Sequence, residues 1–168
     1  MLLLFDATFA HMHGSLSKSS LLLDFDGVLH GADEEVHFGK TDILRNRRLF
    51  VWLPILENIL KPYPEVEVIV SSSWRLKLDD ENLVKVLGSL GSRFAGVVDS
   101  RSASRADEIR AEVSRRKLRK WLAIDDHPTV VAASKRNSHF IACQSHLGLG
   151  ERAVQERLRA ALRDFHCK

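Results

Sequence analysis

Cysteine is scarce in this chain of 168 residues, which has two, Cys143 and Cys167. Two thiols cannot build a disulfide framework, and neither has a neighbour at C-x-x-C spacing to hold zinc. Reduced thiols and a cytoplasmic location are the expectation. Long apolar runs are missing as well. None approaches the ~20 residues that cross a bilayer as a helix, which argues against a membrane protein. The first ten residues are apolar but too short for a secretory signal, and they lack its basic start. Residues 1–19, rich in Ser, Gly and His in their second half, read as a flexible lead-in. No internal repeat, second core or long linker is visible. Residues 20–168 therefore read as one domain, long enough to bury a core. Strong charge of either sign is also absent: 25 Lys and Arg against 22 Asp and Glu leave a net +3. That mild excess suits an anionic substrate without demanding nucleic acid.

What the chain does have is concentrated at residues 21–30, LLLDFDGVLH. An apolar run of this kind makes a buried strand. The glycine after it marks a tight turn or a close approach of backbone to something else. Between them, Asp24 and Asp26 sit two apart, so on an extended segment both carboxylates face one side. Two carboxylates converging at the end of a buried strand repel each other unless a cation lies between them.

Four more short apolar runs, at 66–70, 96–98, 121–124 and 140–143, read as strands alongside 21–25. Helical periodicity appears at 49–60, where Pro54 restricts the start, and at 79–90, 104–118 and 151–165. The stretch 31–48 has no clear structure of its own. Strands alternating with helices predict an α/β fold, a parallel sheet of about five strands with helices on both faces. Ligands of such sheets bind beyond the carboxyl ends of the strands. Three runs end there in useful chemistry: Asp24-Phe25-Asp26, Ser71-Ser72-Ser73 and Asp125-Asp126. Adjacent side chains on a strand face opposite ways, so Asp125 and Asp126 reach one ion only if the strand ends or bends there. His127-Pro128 makes such an ending plausible. His127 itself reads as a surface residue, and His30 and His37 as neighbours of the site's mouth.

Strand-DxDG, strand-Ser and strand-DD, in that order, resemble the haloacid dehalogenase (HAD) superfamily of phosphohydrolases, over residues 21 to about 162. VIVSSSWR at 68–75, R-x-x-E-I at 105–109, WLAIDDH at 121–127 and the later GLG segment look like one branch, the HAD-like domain of Swiss army knife RNA repair proteins. The resemblance implies a three-layer Rossmann-like fold. It also implies hydrolysis of a phosphomonoester with Mg2+ as cofactor and an aspartyl-phosphate intermediate. Asp24 would be the nucleophile and Asp26 the general acid and base. Ser71 would hold a phosphoryl oxygen, with Ser72 and Ser73 as alternatives. Asp24, Asp26 through its backbone carbonyl, Asp125 and Asp126, the last directly or through water, would hold the metal. Gly27 and Arg75 would lie against the substrate; in the plainer reading, Trp74 packs the helix that follows. The superfamily usually places a lysine or arginine at the phosphoryl group, more commonly the lysine. Here R-x-x-E-I selects Arg105, with Lys117 as the weaker alternative in a basic run, 115–120, that suits a solvated helix end.

The short connections leave no room for a large cap, so the site should be open. It would admit a phosphorylated nucleic-acid end or a small phosphoester, and no membrane partner is expected. Arg45, Arg47 and Arg48, with Trp52 and Trp74, are candidates to line a groove for a strand. Two other readings stand beside the first: a phosphatase for nucleotides or sugar phosphates, and a non-catalytic module that binds phosphate or nucleic acid.

Overall fold

The central apolar runs are buried on both faces, which is the condition for a parallel sheet covered by helices. The computed structural model describes residues 19–38 and 43–166. Within them, strands β1 (Ser19–Leu23), β2 (Val66–Val70), β3 (Phe94–Val97), β4 (Lys120–Asp125) and β5 (Phe140–Ala142) form one parallel sheet in the order β3-β2-β1-β4-β5. The first strand is central, and its Leu21, Leu22 and Leu23 are fully buried. Each such leucine contributes roughly 1.5–3 kcal/mol relative to an exposed one.

Helices α1 (Leu53–Leu60), α2 (Asp80–Val86), α3 (Arg105–Arg116), α4 (Pro128–Ser134) and α5 (Arg152–His166) complete the three layers. The two faces separate by strand parity. Leu23, Val70 and Ile124 pack with Leu56, Leu83 and Leu158, so α1, α2 and α5 cover that side. Leu22, Ile69 and Ala123 pack with Ala106, Ile109 and Val130, so α3 and α4 cover the other. Local chemistry sets the helix ends. Pro54 stands in the first turn of α1, which therefore starts at Leu53 rather than Leu49. Asp79 caps α2 by accepting from Asn82 N–H at 2.9 Å, and Ser104 caps α3 through Asp107 N–H at 3.3 Å.

Three sequence expectations change. The lead-in is expected to run through Ser19, yet Ser19 opens β1 and is buried; residues 1–18 lie outside the described part. The first strand ends at Leu23, because at Phe25 the chain already turns, its carbonyl accepting from Val28 and Leu29 N–H at 3.1 and 2.8 Å. Helix α4 has no counterpart in the periodicity. Seven residues are too few to show an amphipathic stripe, and its signal is instead the cap, His127, followed by proline. Among the described residues, no helix is long and apolar enough to cross a membrane.

Candidate active site

Sheet register assembles the site. Leu23 pairs with Val70 on one side and Ile124 on the other. The next residue on each strand is therefore Asp24, Ser71 or Asp125, side by side in one row, with strands about 4.8 Å apart. By alternation the row takes the parity of Leu22, Ile69 and Ala123, the face covered by α3. The first residue of α3 is Arg105, which reaches into the row. Its Nη1 lies 3.6 Å from Asp24 Oδ1 and 3.4 Å from Asp125 Oδ2, and donates to the Ser71 carbonyl.

Asp126 would alternate to the opposite face, but β4 ends at Asp125 and the backbone bends into α4. Asp125 Oδ1 fixes the bend by accepting from His127 N–H at 2.8 Å, and His127 caps α4 with Nδ1 3.3 Å from Thr129 N–H. Carboxylate oxygens of Asp24, Asp125 and Asp126 consequently lie within 4.8 Å of one another. Gly27 makes this possible. It has φ +70°, and a Cβ there would overlap the Asp126 carboxylate, so the D-x-D-G glycine serves close approach of a side chain as well as the turn.

Asp24 and Asp125 are buried, at 6% and 0% exposure. Burial, and then the Asp125 charge, push the Asp24 carboxyl well above its ordinary range, against the opposing pull of Arg105. Burial likewise raises Asp125 to about 6, despite Arg105 and the His127 N–H. Three carboxylates set against one guanidinium make a donor set of hard oxygens with unbalanced negative charge, which fits a divalent cation such as magnesium. Beside them, the Ser71 Oγ is buried and has no hydrogen-bond partner. A buried hydroxyl without a partner is costly unless something else satisfies it, and a phosphoryl oxygen would. Cys143, close behind the cluster, is pushed up by burial and by Asp126, so it stays a thiol.

The remaining expected residues sort differently. Ser72 is buried, and its Oγ accepts from Trp74 N–H at 3.4 Å, capping the turn Ser73–Leu76. Arg75, expected against the substrate, is a framework residue. It donates to the carbonyls of Val98 at 2.9 Å, Ser71 at 2.7 Å, Ser72 at 3.0 Å and Ser100 at 3.4 Å, and to Glu108 Oε2 at 2.9 Å. With its donors so committed, it ties β2 to the segment after β3. Lys117 adopts φ +55° at the carboxyl end of α3, the end opposite Arg105, so of the two it is Arg105 that reaches the carboxylate row. Arg115 and Arg116 pair with Glu112, and Lys120 Nζ donates to the Phe165 carbonyl at 2.7 Å.

Three residues to which the sequence assigns no part in orienting the site also belong here. Glu108, buried at 6%, lies 3.3 Å from Arg105 Nε as well as bonding Arg75, so one carboxylate orients both guanidinia. Its signal is the E of R-x-x-E-I, one helical turn after Arg105. His30 and Trp74 both donate to Asp26, from Nε2 at 3.0 Å and from Nε1 at 3.1 Å to each oxygen. Trp74, at 1% exposure, offers no free face to a base. Trp52 packs its ring on Gly148 and Gly150. Of the residues expected to line a groove, Trp74 is therefore buried away and Trp52 half-buried, while Arg45, Arg47 and Arg48 are exposed.

Among curated proteins and among solved structures no match is found. The family model described as the HAD domain in Swiss Army Knife RNA repair proteins matches residues 20–154, a span that reaches all five strands and every residue of the row. The chain belongs to that family of HAD domains.

Proposed function

We propose that this protein is a magnesium-dependent phosphomonoester hydrolase that removes the terminal phosphate from nucleic-acid ends. The observation that carries the chemistry is the single row of Asp24, Ser71 and Asp125 with Arg105 above it, buried and charge-unbalanced. In the first step an Asp24 oxygen attacks phosphorus, a new P–O bond forms, and the ester P–O bond breaks. Asp26 gives its proton to the departing oxygen. In the second step water attacks phosphorus, Asp26 takes the water proton, and the bond to Asp24 breaks. The carboxylate is restored and inorganic phosphate leaves. Arg105 and the Ser71 hydroxyl hold the phosphoryl oxygens throughout, aimed by Glu108 and by the sheet register. Asp24, Asp125 and Asp126 are the side chains that would hold magnesium, which when bound offsets repulsion between the carboxylates and the phosphate.

The substrate class rests on three supports. The family is described from RNA repair proteins. Among the described residues, the connection from Asp26 to Val66 supplies only a short turn (Ile43–Arg45) and α1, so no cap domain screens the site from a macromolecular end. The exposed Arg45, Arg47 and Arg48 stand on that same connection, where they would meet a phosphodiester backbone.

The test is phosphate release from 3′- and 5′-phosphorylated RNA oligonucleotides, from mononucleotides and from an aryl phosphate, with and without magnesium. Magnesium-dependent release that prefers an oligonucleotide, and falls by about 10³-fold or more in Asp24→Asn, is the expected result. Retained turnover in Asp24→Asn would refute the aspartyl-phosphate route. Preference for mononucleotides would replace the substrate class with small phosphoesters.

A further inference from the structure

Asp26 is more constrained than a surface carboxylate in a turn needs to be. His30 Nε2 lies 3.0 Å from its Oδ1, and Trp74 Nε1 bridges both oxygens at 3.1 Å. Each donor is itself fixed. The Phe50 N–H points at His30 Nδ1, 3.4 Å away; a backbone N–H only donates, so Nδ1 accepts and the ring's proton sits on Nε2, facing Asp26. Phe50 has φ +57°, a strained conformation for an aromatic residue, and in that conformation its N–H faces the imidazole. His30 is fully buried. The Trp74 indole is boxed by Phe25 at 5.6 Å, Phe50 at 5.3 Å, His30 at 5.8 Å and Phe38 at 5.0 Å between ring centroids. Most of these rings meet nearly edge to face, an arrangement that resists rotation of the indole. The Asp26 side chain itself is about one-third exposed and faces solvent on its remaining side.

We infer that His30 and Trp74 form a two-donor clamp that aims the Asp26 carboxyl at the leaving oxygen, and are positioning residues for proton transfer. The inference rests on the phosphatase reading above and adds residues to it. The clamp holds the plane of the carboxyl group and occupies its inner edge. The third of the side chain that stays exposed is the part left free to meet an ester oxygen. A carboxylate tied only by its own rotamer would sample orientations that do not reach that oxygen, and proton transfer depends strongly on reach. Evidence that the clamp serves chemistry more than folding lies in its donors: a tryptophan and a histidine buried among phenylalanines present their side-chain N–H groups to one partly exposed carboxylate. Packing alone would be met by phenylalanine at position 74.

Leaving-group dependence separates aim from structure. An RNA oligonucleotide with a terminal phosphate departs as a sugar alkoxide and needs a proton. The 4-nitrophenyl ester departs as a stabilised phenolate and needs little. Trp74→Phe keeps an aromatic ring and removes the donor. It is expected to lower kcat/KM, which reports the steps through departure of the leaving group and not the shared water step, by about tenfold on the oligonucleotide, a part of the roughly 10²–10⁴-fold that a general acid contributes, and by less than about twofold on the nitrophenyl ester. His30→Leu should behave alike, and His30→Gln, which returns an N–H donor, should recover most of the loss. The clamp is also visible without turnover. The Trp74 indole N–H proton should lie downfield in the wild type and move upfield in Asp26→Ala. Equal losses of kcat/KM on the two esters, or an indole signal that ignores Asp26→Ala, would overturn the clamp and leave the phosphatase reading standing. A wild type inert toward both esters would overturn that reading and the clamp's role with it.

Discussion

Replacing Asp125 by asparagine should make the metal-free protein more stable at neutral pH while removing its activity. Asparagine is nearly isosteric, and its Oδ1 keeps the His127 N–H bond of 2.8 Å that shapes the start of α4. What disappears is a buried negative charge beside Asp24. The Asp125 carboxyl stands at about 6 against an ordinary 3.8. At about 1.4 kcal/mol per pH unit, that difference corresponds to about 3 kcal/mol of destabilisation when the group is ionised. The sign follows from proton binding. Between pH 3.8 and about 6 the unfolded chain has released this proton and the folded chain still holds it, so wild-type stability falls as pH rises through that window and then levels. Asp24, also raised by burial, acts in the same direction. The Asp125→Asn protein lacks the Asp125 contribution. Its advantage should therefore be near zero at about pH 4 and grow to about 3 kcal/mol by about pH 7, roughly 6–12 °C in the midpoint for a domain of this size. Thermal and urea unfolding in chelator across that pH range would measure it. Magnesium should then raise the wild-type midpoint and have little effect on the variant, since binding to the folded state alone stabilises by mass action. A metal-free Asp125→Asn protein less stable than wild type at neutral pH would refute the reasoning, because it would mean that Arg105 already balances the cluster.

Two substitutions test the other supports of the row. Arg105→Lys keeps one charge but loses the fork that serves Asp24, Asp125, the Ser71 carbonyl and Glu108 together; a lost charge-assisted bond of about 1.5–3 kcal/mol predicts a fall in kcat of roughly 10–100-fold, read by steady-state kinetics. Gly27→Ala places a methyl group on the Asp126 carboxylate at a backbone φ of +70°; a loss of about 2 kcal/mol in urea unfolding, together with weaker magnesium binding by titration, is expected.

Much of this architecture is legible in the sequence because it depends on strong local signals. Three buried leucines ahead of Asp24, and the runs before Ser71 and Asp125, mark strand ends by polarity alone. The fold rule that ligands sit there brings the three residues to one rim. Their exact neighbourhood comes from register, which the hydrophobic pattern also sets, since a slip of one residue would turn Leu23 from the α1 side to the α3 side. Helix α4 is invisible to periodicity because seven residues carry no period. Arg75 misleads for a different reason. An arginine next to serines at a strand end has the composition of a phosphate site, and only the positions of four carbonyls, from Ser71 to Ser100, show that its donors are already taken.

Glu108, His30 and Trp74, whose orienting contacts sequence reasoning misses, share one property: each meets the site through another side chain. Glu108 acts through Arg105, and His30 and Trp74 act through Asp26. A residue that touches substrate announces itself by being polar where a core residue should be, as Asp24 does. A residue that orients such a group can look like ordinary packing, and a tryptophan after three serines does. The spacing nevertheless holds a clue. Glu108 follows Arg105 by one helical turn, and His30 follows Asp26 by four residues across a turn that Gly27 tightens, so both pairs meet within a few residues of chain. Trp74 is different, since 48 residues separate it from Asp26 and only the pairing of β1 with β2 joins them. The two donors therefore reach Asp26 by independent routes, one local and one through the sheet. Losing either should leave the other in place. Single variants are then expected to weaken proton transfer partially, and the double variant Trp74→Phe/His30→Leu to lose more than either alone, which is the arithmetic a two-donor clamp requires.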